Sequence, residues 1–210
     1  MGPIPGDNEG AYPGRCRSTP LRNQELGRKL TALDPALGVL ECPTEGADFL
    51  LCVMITGMQA LELKIPPPVV AVLMAGAMWG ISLVAPLLQV PAFIRLAAAA
   101  TIALAGGGFS LAGAISIRRA GTTVNAMNPE TTSSLVCSGI YGATRNPMYV
   151  GLLFVLVALA IFLSTAWALL GPLAFVLYLN RFQIAPEERA LSAMFGADYS
   201  AYKSRVRRWL

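Results

Sequence analysis

The chain has 210 residues, of which 55% are hydrophobic and only 13% charged, with a mean hydropathy of +0.57. A soluble globular chain carries about 25% charged residues, so the composition argues against an ordinary soluble domain and points to the bilayer. Sixteen basic and twelve acidic residues give +4, too little and too scattered for a nucleic-acid-binding protein.

Residues 1–46 are rich in Gly, Pro and mixed charge without a sustained period, and read as a disordered lead with at most a short helix at 24–33. No signal peptide fits: the first basic residue is Arg15 and no apolar region follows it closely. Residues 49–61 are apolar, but thirteen residues fall short of the roughly 20 needed to span. They read as an interfacial helix or a dispensable extension, and Met54 and Met58 offer alternative starts. Residues 1–57 are therefore set apart from a membrane domain at 58–210.

Residues 69–88 form the first expected span, free of charge, with Gly76 and Gly80 making a face suited to close helix contact. Residues 93–117 form the second, with Arg95 near one end to snorkel and with Gly106, Gly107, Gly108, Ala112 and Gly113 again inviting a neighbouring backbone. The thirty-five residues between Arg145 and Arg181 carry no charge. As one helix they would run about 52 Å, well past a ~30 Å hydrocarbon core. Two antiparallel spans, 148–164 and 166–182, joined near Ser164-Thr165, fit better, with Pro172 placed to kink the second. The fold class is thus an all-α integral membrane protein of about four transmembrane helices, a loop, and a C-terminal amphipathic helix.

Lys and Arg concentrate in three segments: six up to Pro66, three in 118–147 and six from Arg181 onward. The turns near Gln89 and Ser164 have none. Four spans put all three basic segments on one face, and the positive-inside rule makes that face, with both termini and the polar chemistry, cytoplasmic.

Polar residues able to do chemistry cluster in those segments. The loop from Gly121 leads to Tyr141-Gly-Ala-Thr-Arg-Asn-Pro-Met-Tyr-Val-Gly151. Pro147 suits a first helical turn and Asn146 its N-cap. The second cluster, Asn180-Arg181-Phe-Gln-Ile-Ala-Pro-Glu187-Glu188-Arg189, reads as another helix start, running to Phe195 with Gly196 as its stop. Asp198 would then cap a last helix in which Tyr199, Tyr202, Val206 and Trp209 share an apolar face. Its arginines are expected to hold anionic headgroups at the membrane surface. A hairpin brings both polar clusters to one membrane depth, where they would suit a zwitterionic ligand with an amine, a carboxylate and a cationic centre. No histidine is present, which removes the commonest general base and metal ligand. Cys16, Cys42, Cys52 and Cys137 contain no C-x-x-C pair, so they read as apolar filler or free thiols, with no legible metal site.

These residues resemble the isoprenylcysteine carboxyl methyltransferase family, to which the phospholipid N-methyltransferases are related. The resemblance rests on Gly139, Tyr141, Arg145, Asn146, Pro147, Tyr149 and Gly151, then Glu187-Glu188, then Phe195-Gly196, Tyr199 and Tyr202, and covers about 58–210. It implies S-adenosylmethionine as cofactor, S-adenosylhomocysteine as product and no metal. Gly139, Tyr141, Arg145, Asn146, Pro147, Tyr149, Glu187 and Glu188 would line the cofactor site. Asn146 stands where eukaryotic relatives have histidine and cannot titrate.

Methyl transfer from a sulfonium needs alignment and exclusion of water more than a strong base, so a chain without histidine can perform it. The expected reaction is carboxyl O-methylation of a lipid-like, isoprenylcysteine-type acceptor, with Arg181 orienting its anionic group. Phospholipid amine N-methylation is the alternative. The expected partners are membrane lipids and a lipophilic or lipidated substrate. The competing class, a small non-enzymatic scaffold or transporter, would be favoured by charges in mid-span, and the first, third and fourth spans have none. Glycine faces serve contacts within or between chains, so oligomeric state stays open.

Overall fold

The structure is a computed structural model that describes residues 62–121 and 135–210; the expected extension 1–57, the apolar stretch 49–61 and loop residues 122–134 lie outside them. Among the described residues the chain is all-helical, without a strand: α1 (Pro67–Ser82), α2 (Ala92–Arg119), α3 (Pro147–Leu163), α4 (Leu170–Tyr178) and α5 (Ala185–Arg205). Short 3-10 turns occupy Gly139–Gly142 and Ala166–Leu169, and a π-helical stretch, Leu179–Ile184, joins α4 to α5.

Local chemistry explains the boundaries. α1 opens on a proline run, which fits a first turn. It stops at Ser82 rather than near 88, because Pro86 disfavours a helical Ala85 and lacks a donor. α2 carries Arg118 and Arg119 in its last turn, against the negative end of its dipole, and exits through Gly121 at φ 59, a left-handed conformation suited to glycine. α3 begins at Pro147 and ends on a left-handed Ser164, the expected turn. Pro172 lies in the first turn of α4, where its ring is tolerated.

Two helical runs, Ala92–Arg119 and Ala166–Arg205, are long and apolar enough to cross a membrane; α1 and α3 are apolar but shorter. Sixteen and seventeen residues extend about 24–26 Å against a ~30 Å core, so two of the four expected spans meet the length criterion. Large apolar side chains face outward along the helices, among them Val72, Leu73, Leu104, Leu111 and Leu177, a surface suited to lipid.

α2 packs along α3, and α1 packs against α3 and α4. The tightest crossing is backbone on backbone: a Cβ added at Gly151 would stand 2.6 Å from the Gly106 carbonyl oxygen and 3.0 Å from the Ser110 nitrogen. Gly76 and Gly80, expected at a close contact, have nothing among the described residues within 4 Å of a Cβ position. At the end away from the polar clusters, the Leu88 N–H donates to the Ser164 carbonyl (2.7 Å) and the Ser164 hydroxyl to the Leu88 carbonyl (3.0 Å). The two turns without basic residues therefore meet at one end, as a four-segment antiparallel arrangement requires. A buried core including Met78, Leu156, Phe175, Leu179 and Ile184 fills the space between the helices and reaches Tyr149.

Gly196 (φ 51, ψ −119) breaks α5 at the expected stop. Beyond it, Tyr199, Tyr202 and Val206 pack with Leu135, Met194 and Phe195. The apolar face expected to lie on the membrane is thus covered by protein. Cys137 packs beside this cluster.

Candidate functional site

Arg145 and Asn146 stand at the opening of α3, and Glu187 and Glu188 in the first turn of α5. The antiparallel packing of α3 against the α4–α5 run brings these two polar clusters together. They line a cavity with Tyr141, Pro147, Met148, Tyr149, Ile184, Leu191, Tyr199, Tyr202, Leu135 and Val136. Seven of the eight residues expected at a cofactor site meet here. The eighth, Gly139, does not line the cavity: it has φ 62 and starts the 3-10 turn that carries Tyr141. A Cβ there would meet the Ser116 hydroxyl at 3.1 Å.

Glu188 is the electrostatic centre of one wall. Its Oε1 accepts from Arg145 Nη2 (2.9 Å) and Arg208 Nε (3.1 Å), its Oε2 from Arg208 Nη2 (2.7 Å), and Lys203 Nζ lies 3.7 Å away. Burial alone would raise its pKa; the Arg208 hydrogen bonds and the charges of Arg145, Arg208 and Lys203 outweigh burial and hold it below the usual carboxylate range. Arg145 spends only one nitrogen on this pair. Its side chain is 9% exposed, and its Nε and Nη1 are buried with no partner among the described residues. Buried guanidinium donors without acceptors are costly, and their fork geometry suits a carboxylate.

Glu187 faces a different environment. The Tyr149 hydroxyl donates to its Oε2 at 3.2 Å. Burial pushes the Glu187 carboxyl up to about 7; the Tyr149 hydrogen bond opposes the rise and neighbouring Glu188 adds to it. Tyr141 is held neutral well above the ordinary phenol range, by burial first and then by the charge of Glu187. Two adjacent glutamates thus differ: one is fixed as an anion among cations, the other can gain or lose a proton near neutrality.

Asn146 occupies the expected N-cap position, but its side chain does not cap the helix. Its amide donates instead to the Arg208 carbonyl at 3.0 Å, a task that needs a donor and no titration. Arg181 lies away from the cavity: it pairs with Glu62 at 2.6 Å, and the same carboxylate also pairs with Arg189. Sequence reading counted Asn180 in the second polar cluster but missed Arg208 and Trp209 as its neighbours beside the cavity. The Trp209 indole donates to Asn180 Oδ1 at 3.1 Å, and the Tyr202 hydroxyl to the Tyr141 carbonyl at 2.7 Å. The regular three- and four-residue spacing of Tyr199 and Tyr202 signalled a buried face, but not what covers it.

Residues 94–198, half of the chain, match the family described as phospholipid methyltransferase. The chain is also 48% identical over 63 residues, 30% of its own length and all of the relative's, to an uncharacterized protein of Haemophilus influenzae. No solved structure matches the chain.

Proposed function

The chain belongs to the phospholipid methyltransferase family, and from that premise we propose that it is an integral-membrane enzyme that uses S-adenosylmethionine to methylate a lipid-borne acceptor, with residues 58–210 as the working unit. One observation carries this reading: Arg145, with two buried nitrogens unpartnered among the described residues, and Glu187 line the same cavity. That donor set fits a ligand with a carboxylate and positive charge.

In this reading Arg145 binds the cofactor's carboxylate and Glu187 faces its positive charge. Glu188 holds Arg145, while Tyr141, Asn146, Pro147 and Tyr149 shape the wall and exclude water. Gly139 turns the backbone that delivers Tyr141. S-adenosylmethionine supplies, when bound, a methyl group already activated on a sulfonium. The distribution of Lys and Arg supports a site on the cytoplasmic side.

Of the two acceptor classes, a phospholipid amine is favoured by Glu187. An amine must lose a proton before it attacks, and a cavity carboxylate with a pKa near 7 holds that proton on its Oε atoms. A carboxylate acceptor of the isoprenylcysteine type needs no base, and the cation expected to orient it, Arg181, is engaged by Glu62. The motif spacing that resembles carboxyl methyltransferases keeps this second reading in the test. Purified protein is expected to bind S-adenosylhomocysteine in calorimetry and to transfer labelled methyl groups to a lipid extract as a base-stable product. Base-labile label would assign a carboxyl ester instead, and absence of binding by the wild-type chain would sink the methyltransferase reading.

The pH dependence follows from Glu187. The ionised carboxylate attracts a cationic ligand, so affinity is expected to rise about tenfold per pH unit below 7 and to level off above it. Glu187→Gln should give a flat profile between pH 5.5 and 8.5 relative to wild type, at a lower affinity. The raised pKa makes the opposite contribution to stability: it is fully present below the unfolded value near 4.5 and is lost as pH rises through 7. The variant should therefore unfold at a higher temperature than wild type at pH 8.

A further inference from the structure

Beyond Val206 (φ −118, ψ 132) the chain leaves the helix and crosses both halves of the site. The Arg207 carbonyl accepts the Arg145 N–H at 3.0 Å. The Arg208 carbonyl accepts from Asn146 Nδ2 (3.0 Å) and the Thr144 hydroxyl (3.2 Å). The Arg208 guanidinium grips both oxygens of Glu188, and Trp209 reaches Asn180 in the π-helical stretch. Residues 207–209 thus form a strap that ties the opening of α3 to the α4–α5 run. Sequence patterning assigned these same residues to the membrane surface.

We propose that Arg208 is a positioning residue: by occupying Glu188 it keeps two nitrogens of Arg145 available to the ligand. This rests on reading the cavity as a site for S-adenosylmethionine. A carboxylate and a guanidinium pair best through two parallel hydrogen bonds. Arg145 makes only one bond to Glu188 here, because Arg208 takes Oε2 and shares Oε1. Lys203, at 3.7 Å, contributes charge without that fork. With Arg208 removed, the buried Glu188 has one strong partner left and draws Arg145 into a two-bond pair, which takes up Nε or Nη1. Arg208 itself does not line the cavity, so its effect passes through Glu188 and Arg145. The role of Asn146 follows from the same strap: its amide holds the Arg208 carbonyl and so sets where the guanidinium lands.

Calorimetry with S-adenosylhomocysteine on the full-length chain tests this. Arg208→Ala is expected to weaken binding at least tenfold, and Arg208→Lys to recover part of the loss. Arg208→Ala combined with Glu188→Gln should bind more tightly than Arg208→Ala alone, because a neutral amide no longer competes for Arg145. A purely structural role does not produce that recovery. Binding by Arg208→Ala within twofold of wild type overturns the proposal, as does a double variant that binds no better than the single one. Failure of wild type to bind sinks the methyltransferase reading instead. The strap is then judged without ligand, by hydrogen exchange over residues 141–149: at least tenfold faster exchange in Arg208→Ala supports it, and unchanged exchange overturns it.

Discussion

Arg145→Ala is expected to reduce affinity for S-adenosylhomocysteine by about 100-fold or more and to abolish measurable methyl transfer. The residue lines the cavity and has two buried nitrogens without an acceptor among the described residues, and hydrogen bonds to charged groups contribute about 1.5–3 kcal/mol each. The fold should survive the change, because Glu188 keeps Arg208 and Lys203 as partners and is not left as an unpaired buried charge. Arg145→Lys restores a charge but presents no fork, so it should recover only a small part of the affinity. Thermal unfolding measured beside calorimetry separates the two effects. Binding by Arg145→Ala within threefold of wild type would remove this residue from the site.

Gly151→Ala is expected to be the most destabilising single-methyl addition in the membrane region. The added carbon would meet the Ser110 hydroxyl and also backbone atoms that cannot rotate away, the Gly106 carbonyl oxygen and the Ser110 nitrogen. Overpacking costs about 1–3 kcal/mol, sometimes more, and rigid helix backbones on both sides put this case at the upper end. The unfolding midpoint in detergent should fall by several degrees, and Gly151→Leu should leave no recoverable folded protein. Ser110→Gly should not rescue Gly151→Ala, because the Gly106 carbonyl still obstructs. Gly107→Ala supplies the control: nothing lies within 4 Å of its Cβ position, so it should be neutral or gain up to about 1 kcal/mol of helix propensity. Equal destabilisation by the two substitutions would refute the crossing.

The contrast between these glycines explains why parts of the fold were legible and others were not. The hairpin was legible because Arg145 and Arg181 bracket a charge-free stretch too long for one span, with Ser164-Thr165 near its middle. Once the hairpin is granted, Arg145 must approach Glu187 and Glu188, and it does. Which glycines meet a neighbour was not legible, since lipid and a packed helix are equally apolar partners and no periodicity separates them. Among the described residues, Gly106, Gly113 and Gly151 meet a neighbour, while Gly76, Gly80 and Gly107 do not. The segment around Tyr199, Tyr202 and Val206 posed the same ambiguity. An apolar stripe flanked by arginines describes a helix on a membrane and equally one that closes over a cavity.

Arg181 is instructive for another reason. It lies six positions before Glu187, and an ordinary helix would relate their directions simply. The intervening residues are π-helical, a feature that composition does not announce. Pro186 gives a partial signal, because it lacks the N–H that would bond to the Phe182 carbonyl. That carbonyl accepts the Leu63 N–H at 3.1 Å instead, beside the Glu62 carboxylate that holds Arg181.

A π-helical turn contains about one residue more than an α-helical turn, so Leu179–Ile184 behaves as a single-residue insertion absorbed within a continuous helix. Loss of one residue there allows the run to close as an α-helix with Glu187 and Glu188 still facing α3. A one-residue deletion within Leu179–Ile184 is therefore expected to keep the same wall of the cavity. No such freedom exists at the opening of α3, where loss of Met148 would turn Tyr149 by about 100° relative to Pro147. An alignment that forces equal spacing across both halves would pair the wrong glutamates.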